Sequence, residues 1–277
     1  MQEVRDEIEA AKDMNAVIIS MDFCGFEAKI SKCNSKYFND LVFVLECLQY
    51  DQESREYIWH RHYFDTLADS PVGKNDFYFV RQSLQTILPM IERFNGIYLF
   101  SDNAGKHFKN RRTMRFMSQF AYMNSFDIHW TMYAPHHGYS LCDAHGGRIN
   151  ASKLKNEKNR HQPQTCQDLK NMIDSQFENT TVHILQRIDK TVFNGLKYRV
   201  MQKLHTFDFD THHNVRCYFD DNDKQRDVLR YRCNYSDDVD PPAVHRSDED
   251  EEEEEENHDH VQPDEEDKMN YDVGDKE

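Results

Sequence analysis

What this sequence lacks narrows it first. No apolar run approaches the roughly 18 residues that a membrane-spanning helix needs, so no transmembrane segment is expected among the 277 residues. The N-terminus, MQEVRDEIEAAKDMN, has no apolar core and does not read as a secretory signal. Glycine is scarce, at 9 residues, and neither a collagen repeat nor a coiled-coil pattern is present. Seven cysteines (Cys24, Cys33, Cys47, Cys142, Cys166, Cys217 and Cys233) make no paired framework. An odd count without a signal peptide points to reduced thiols in cytosol or nucleus. A basic excess is also missing: 50 Asp+Glu against 34 Lys+Arg give a formal charge of −16. Taken whole, that argues against a nucleic-acid partner.

The charge is not spread evenly. Residues 236–277 hold 20 acids and 3 bases (Arg246, Lys268, Lys276), which leaves 30 acids and 31 bases for residues 1–235. The body is therefore neutral, and the tail carries the acidity. Its continuous run from Asp248 to Glu256 cannot bury a core and is expected to be disordered.

The body is divided here into an N-terminal helical fragment (1–15), a catalytic-core region (16–160) and a helical and β appendage (161–235). Apolar runs at 16–21 (AVIISM) and 41–48 (LVFVLECL) predict strands, and 57–63 (YIWHRHY) a third. Cys24–Gly25 and Cys33–Asn34–Ser35 read as turns between them. Val80, Leu84, Ile87, Leu88 and Ile91 share one face of a predicted helix over 76–94, with Pro89 as a kink or break and Gly96 as its C-terminal stop. A strand at 97–100, a helix at 109–123, a strand at 126–133 and a helix from Ser140 through Lys158 follow. Leu169–Phe177 reads as a further helix, and 181–235 as short β pieces. Strands followed by alternating helices and strands predict a mixed α/β layered architecture.

Three acids stand where strands end or a helix begins: Asp22, Asp102 and Asp143. Carboxylates in that order can converge on hard divalent cations such as Mg²⁺ or Mn²⁺, which prefer oxygen ligands. Two such ions about 3.5–4 Å apart serve phosphodiester chemistry. The ordinary reading of an Asp after a strand is a turn former or a cap. For Asp143 that reading is specific, because Ser140-x-x-Asp143 fits a capping-box variant. Spacing alone does not decide between the two.

The strings SDNAGKHFKNRR (101–112) and APHHGYSLCDAHGGRI (134–149) resemble two blocks of the eukaryotic transposon-derived DDE-type transposases. There a strand ending in Ser-Asp-Gly runs into Phe-Lys-Asn, and a later strand leads through a Cys-Asp-x-x-Gly-Gly segment into a basic helix. MDFCGFEAKI (21–30) is similar to that family's first block. The resemblance spans about residues 16–160. It implies a ribonuclease-H-like mixed sheet flanked by helices, with Asp22, Asp102 and Asp143 as the triad that binds two Mg²⁺ or Mn²⁺ ions. Asn103 replaces a usual glycine, Tyr139 stands where a basic residue is common, and the family's N-terminal DNA-binding region does not precede the first acid. A fragment, a decayed copy or a domesticated core is therefore expected rather than an autonomous transposase.

Basic residues follow the proposed acids. Lys106, Lys109, Arg111, Arg112 and Arg115 come after Asp102, and Arg148, Lys153, Lys155, Lys158 and Arg160 after Asp143. They suit sequence-independent phosphate contacts, although a solvated helix face is the commoner role. Gly146 and Gly147 either admit a phosphate or a metal, or allow close packing on a strand. Cys142-x-x-His145 and His136–His137 supply one visible ligand pair, short of the paired set a structural zinc needs. Glu157 and Glu178 are reserves for the third acid, and His107 and His137 could orient a water or a phosphate. The expected function is a metal-dependent DNA transferase or nuclease acting in the nucleus, with no membrane partner and an oligomer possible. The alternative is a catalytically degenerate derivative that binds DNA or chromatin. The acidic tail would meet histones or other basic proteins.

Overall fold

The computed structural model describes residues 1–31, 34–69, 76–102, 107–133, 140–158, 163–191, 205–212, 214–218 and 229–232. Residues Met1–Asp237 form one unit and Asp238–Glu277 another; the latter, with the predicted disordered tail, lies outside the described residues.

The apolar runs do not alternate because both faces of their strands are covered. In β1 (Ala16–Ser31), Val17, Ile19 and Met21 turn to one face while Ile18 turns to the other, and all four are buried. In β2 (Asn34–Asp51), Leu41, Phe43 and Leu45 share the first face and Val42 and Val44 the second. β1 and β2 pair antiparallel from Val17↔Cys47 out to Ser31↔Asn34. Cys24–Gly25, predicted as a turn, therefore lies inside a continuous strand, where Cys24 faces Asp40 and Gly25 faces Asn39. The paired partner strand, not the local sequence, decides that conformation. β3 (Glu56–Asp69) completes the antiparallel meander.

The chain then crosses through α2 (Phe77–Ile91) to β4 (Gly96–Ser101), through α3 (Arg111–Asn124) to β5 (Asp127–Met132), and into α4 (Leu141–Lys158) and α5 (Cys166–Gln176). α1 spans Gln2–Ala11. Asp76 caps α2 by accepting from the Phe79 N–H at 3.1 Å, and Asn110 caps α3 by accepting from Thr113 at 2.9 Å. Pro89 sits in the last turn of α2, which ends two residues later at Ile91. Gly96 is not its cap but the first residue of β4, where the N–H groups of Asn95 and Gly96 donate to Asn15 O.

The strand order is β6-β3-β2-β1-β4-β5-β7-β8-β9. β1, β4 and β5 run parallel, and so do β3 and β6 (Thr180–Ile184). β7 (Thr206–Phe209), β8 (Asn214–Tyr218) and β9 (Leu229–Arg232) continue antiparallel from β5. The described pieces expected as an appendage thus extend the same sheet at both edges. The predicted piece at 196–201 lies outside the described residues.

α2 and α3 pack on one face, where Phe79, Leu84, Ile87, Met114 and Phe120 join Val17, Ile19, Phe43 and Trp130 in the largest core. The other face holds smaller clusters: α1 through Ile8 on Ile18 and Phe100, α4 through Cys142 on Val42 and Val44, and α5 through Leu169 and Ile173 on Phe26, Phe38 and Leu67. Helices thus cover both faces of a mixed sheet.

Trp130 is fully buried at the centre of the larger core, its indole N–H donating to Ser101 Oγ at 3.0 Å. Trp130→Ala is expected to cost about 3–5 kcal/mol. Urea unfolding monitored by circular dichroism should show the midpoint fall; a loss below about 1 kcal/mol would mean that this core does not carry the sheet.

Candidate active site

The register of β1 on β4 sets the geometry. Their parallel pairing runs from Ala16↔Gly96 to Met21↔Ser101 and stops there. Asp22 and Asp102 are the next residues on each chain, so two acids emerge side by side where β4 ends. Asp22 pairs across β2 with Val42, which puts its side chain on the face that α4 covers. The first turn of α4 is bound to that spot. The Cys142 thiol donates to Ser20 O at 3.4 Å and to Val42 O at 3.7 Å, and the Cys24 thiol donates to Cys142 O at 3.7 Å. Asp143 follows Cys142 and arrives beside the two strand acids.

The electrostatics report this meeting. The Asp22 carboxyl is pushed up from 3.8 to about 6, first by burial, then by the charge of Asp102 and, more weakly, by that of Asp143. The Phe23 N–H, donating to Asp22 Oδ1 at 2.7 Å, opposes the rise. Asp102 and Asp143 thus both act by charge on Asp22. Among the described residues, no three His, Cys, Asp or Glu side chains form a group that could hold a metal ion as they stand.

The capping reading of Asp143 also holds. Ser140 N–H donates to Asp143 Oδ2 at 2.9 Å, Ser140 Oγ donates to the same oxygen at 3.2 Å, and Asp143 N–H returns to Ser140 Oγ at 3.2 Å. Both contacts to the carboxylate fall on Oδ2, so Oδ1 is not engaged in the cap. One exposed Asp serves the helix start and still adds its charge to the site.

The Phe-Lys-Asn segment has a structural account. On the opposite face from Asp22, the Phe23 ring meets Phe79 at 5.7 Å, Phe108 at 5.5 Å and His107 at 4.8 Å between centroids. Phe108 thus fixes the chain after Asp102 against β1, and Asn110 starts α3. Lys109 is buried, its amine lowered to about 8 by desolvation. Lys153 is buried as well, with its ammonium donating to Glu27 O. Arg111 and Arg148 are exposed, Arg148 lying over the Phe177 ring at 5.3 Å, and Arg112 lies half-buried over Tyr78 at 5.9 Å. Arg115 and Lys155 are half-buried and exposed respectively. Lys106, Arg160 and His136–His137 lie outside the described residues, and Lys158 and Glu157 are described only as helix backbone. Glu178 stands in the turn before β6, at the sheet edge three strands from β1.

The two glycines separate. A Cβ on Gly146 would lie 2.6 Å from Cys24 Sγ, whereas one on Gly147 would meet nothing within 4 Å. Gly146 is there so that α4 can approach β1. Cys142 and His145 do not share a ligand position: the thiol points to backbone carbonyls and the imidazole Nε2 lies 3.0 Å from Asp65 Oδ2. Burial holds the Cys142 thiol well above its usual range, which disfavours the thiolate. Sequence reading missed Asp40 and Asp65, both buried on the α4 face; their one local signal was an acid set within an apolar strand.

Residues 70–222 match a family described as a domain of unknown function (DUF8701), a little over half of the chain. The chain belongs to that family. The matched stretch takes in Asp102 and Asp143 and begins after the β1–β3 meander, so Asp22 lies outside it. No curated protein and no solved structure matches the chain.

Two expectations follow. Gly146→Ala should destabilise the fold by about 1–3 kcal/mol through overpacking, outweighing the roughly 1 kcal/mol that Ala gains in a helix. Cys24→Ala in the same chain should restore most of the loss in chemical denaturation; full stability of the single variant would show that α4 is not in contact with β1. The second concerns Asp22. Its folded value near 6 exceeds the unfolded 3.8, so the folded state keeps its proton longer. The resulting penalty is absent below pH about 4, grows between about 4 and 6, and is complete above 6. Asp22→Asn should therefore raise the Tm at pH about 7.5, by about 2–4 °C per kcal/mol relieved, and leave it unchanged at pH about 3.5. A lower Tm at neutral pH would show that the carboxylate stabilises the fold.

Proposed function

We propose that residues 16–160 form the catalytic core of a metal-dependent polynucleotidyl transferase or nuclease, ribonuclease-H-like in fold and acting on DNA phosphodiesters in the nucleus. The observation that carries the reading is the register that sets Asp22 beside Asp102 where β4 ends, with the charges of both Asp102 and Asp143 acting on Asp22. The sheet supports it: β3-β2-β1-β4-β5 is an antiparallel meander feeding parallel crossovers, with the acids on β1, after β4 and on α4. The motifs at 101–112 and 134–149 that resemble the DDE-type transposases fall at these two later positions.

The residues fit hard divalent cations. Their donors are carboxylate oxygens, and a Mg²⁺ or Mn²⁺ ion would offset the burial and the neighbouring charges that raise Asp22. Asp22, Asp102 and Asp143 would hold the ion, Asp143 having Oδ1 outside its cap contacts. When bound, such ions activate an attacking oxygen and stabilise the leaving one. The chain's own part is to orient the carboxylates through the β1–β4 register and to present Arg111 and Arg148 to the phosphate backbone, with Arg112 beside them. Lys109 and Lys153, being buried, contribute less to that surface.

A catalytically silent derivative that binds DNA or chromatin is the second reading. It is favoured by the engagement of Asp143 Oδ2 in the cap of α4. Histones remain the partner class proposed for the acidic tail. Nicking of supercoiled plasmid in Mn²⁺ separates the first two readings. Wild-type protein is expected to nick and Asp102→Asn to lose that activity. Equal nicking by both would sink the mechanism, and DNA retention without nicking would favour the silent derivative.

A further inference from the structure

Behind the three acids lies a second polar cluster on the same face of the sheet. The buried face of α4 consists of Cys142, His145, Gly146, Ile149 and Lys153. Their spacing is that of one helix stripe, yet Ile149 is its single large apolar side chain. Hydrophobic burial cannot by itself fix how such a helix sits. Directional contacts must do so: Cys142 to Ser20 O and Val42 O, Lys153 to Glu27 O, and His145 to Asp65.

The His145 contact is the most enclosed of these. Its Nε2 lies 3.0 Å from Asp65 Oδ2, and both side chains are 0% exposed. The ring stacks on Tyr63 at 4.3 Å with 9° between planes, and Phe177 closes its edge at 5.9 Å. Asp65 in turn neighbours Asp40 across the β2–β3 ladder, also fully buried. As two carboxylates this pair would have no donor between them. Burial and then the Asp65 charge hold the Asp40 carboxyl well above its ordinary range. An imidazole and two acids without solvent are costly to bury unless they satisfy one another, so the cluster tolerates little displacement of the helix.

His145 and Asp143 are two residues apart on α4, about 200° around the helix axis. His145 points into the sheet while Asp143 is exposed at its side. Any rotation or lift of α4 that breaks the His145–Asp65 contact swings Asp143 relative to Asp22 and Asp102. We propose that His145 is a positioning residue whose hydrogen bond to Asp65 and stack on Tyr63 set the placement of Asp143 at the three-acid site. This rests on the metal-site reading above.

The test uses the full chain and three variants. His145→Phe keeps a ring on Tyr63 and loses the hydrogen bond. His145→Gln keeps a donor and loses the stack. Asp65→Asn alters the same contact from the sheet side, should the helix variants fold poorly. Amide hydrogen exchange over residues 141–149 reads the tether, and Mn²⁺ titration calorimetry reads the site. His145→Phe is expected to speed exchange in that stretch at least about tenfold, with β1 and β2 protection retained, and to weaken Mn²⁺ about 10–100-fold, the range for residues that orient metal ligands. His145→Gln should recover part of both, and Asp65→Asn should match His145→Phe. Unchanged exchange and Mn²⁺ affinity in His145→Phe and Asp65→Asn would overturn the inference while leaving the site reading intact. Faster exchange with unchanged Mn²⁺ affinity would also overturn it, reducing the contact to a structural one. A wild-type chain that binds no Mn²⁺ would overturn the site reading and the positioning role with it, a result distinct from the other two.

Discussion

The parallel pairing of β1 with β4 is the constraint on which the rest depends. It ends at Met21↔Ser101, so the residues that follow on both chains leave the shared ladder together. Slipping either strand by one residue would turn its side chains to the opposite face and separate the acids. Slippage is resisted because both faces of β1 are buried, Val17, Ile19 and Met21 on one and Ile18 on the other. The core therefore fixes the register, and the register places Asp22 beside Asp102. β1 also continues past the end of β4, with β2 as its remaining partner. That extension presents Cys24 and Phe26 to α4 and α5.

The helices divide the work between adhesion and alignment. α2 and α3 each bury a broad apolar face in the largest core and need no directional contact to stay in place. α4 does the reverse. It is seated by a thiol, an imidazole, an ammonium and a glycine whose missing side chain admits Cys24. Polar tethers add little net stability per contact, but they specify rotation and depth more sharply than apolar packing does. That suits a helix whose exposed Asp143 has to reach a particular point.

Much of the architecture was legible because burial on both faces leaves non-alternating apolar runs, as in AVIISM and LVFVLECL. The order of strands and helices and the three acids came from the same reading. What escaped depended on partners distant in sequence. Cys24–Gly25 carries turn residues, yet the neighbouring β2 holds it extended. Gly96 follows a helix as a stop would, yet Asn15 captures its N–H into a strand. The short strands after residue 205 have too few residues to signal whether they stand alone or join a sheet; their pairing to β5 decides it. Asp40, Asp65 and His145 are 25 and 80 residues apart, so only the β2–β3 register and the seating of α4 bring them together. At Asp143 the cap is shown and is compatible with the proposed site, because its contacts to the carboxylate fall on Oδ2.

The treatment of buried acids within this one fold sharpens the argument about the site. Glu46 is buried on the same sheet face and receives cations from the chain itself, Arg61 at 2.7 Å and Arg5 at 3.7 Å. Asp40 and Asp65 are buried as neighbours, the Asp40 carboxyl held well above its ordinary range by burial and by Asp65, and the imidazole of His145 lies beside Asp65. Asp22 receives neither solution. Among the described residues, the charges of Asp102 and Asp143 raise it, and the adjacent backbone N–H favours its ionised form. Arg112 and Arg148, two of the bases that follow the acids in sequence, lie over the rings of Tyr78 and Phe177. Asp22, half-buried at the candidate site, is instead acted on by other acids, and under the proposed function it would be balanced from outside. A divalent cation is the species whose charge and oxygen preference answer that imbalance, and the proposed chemistry follows from supplying it.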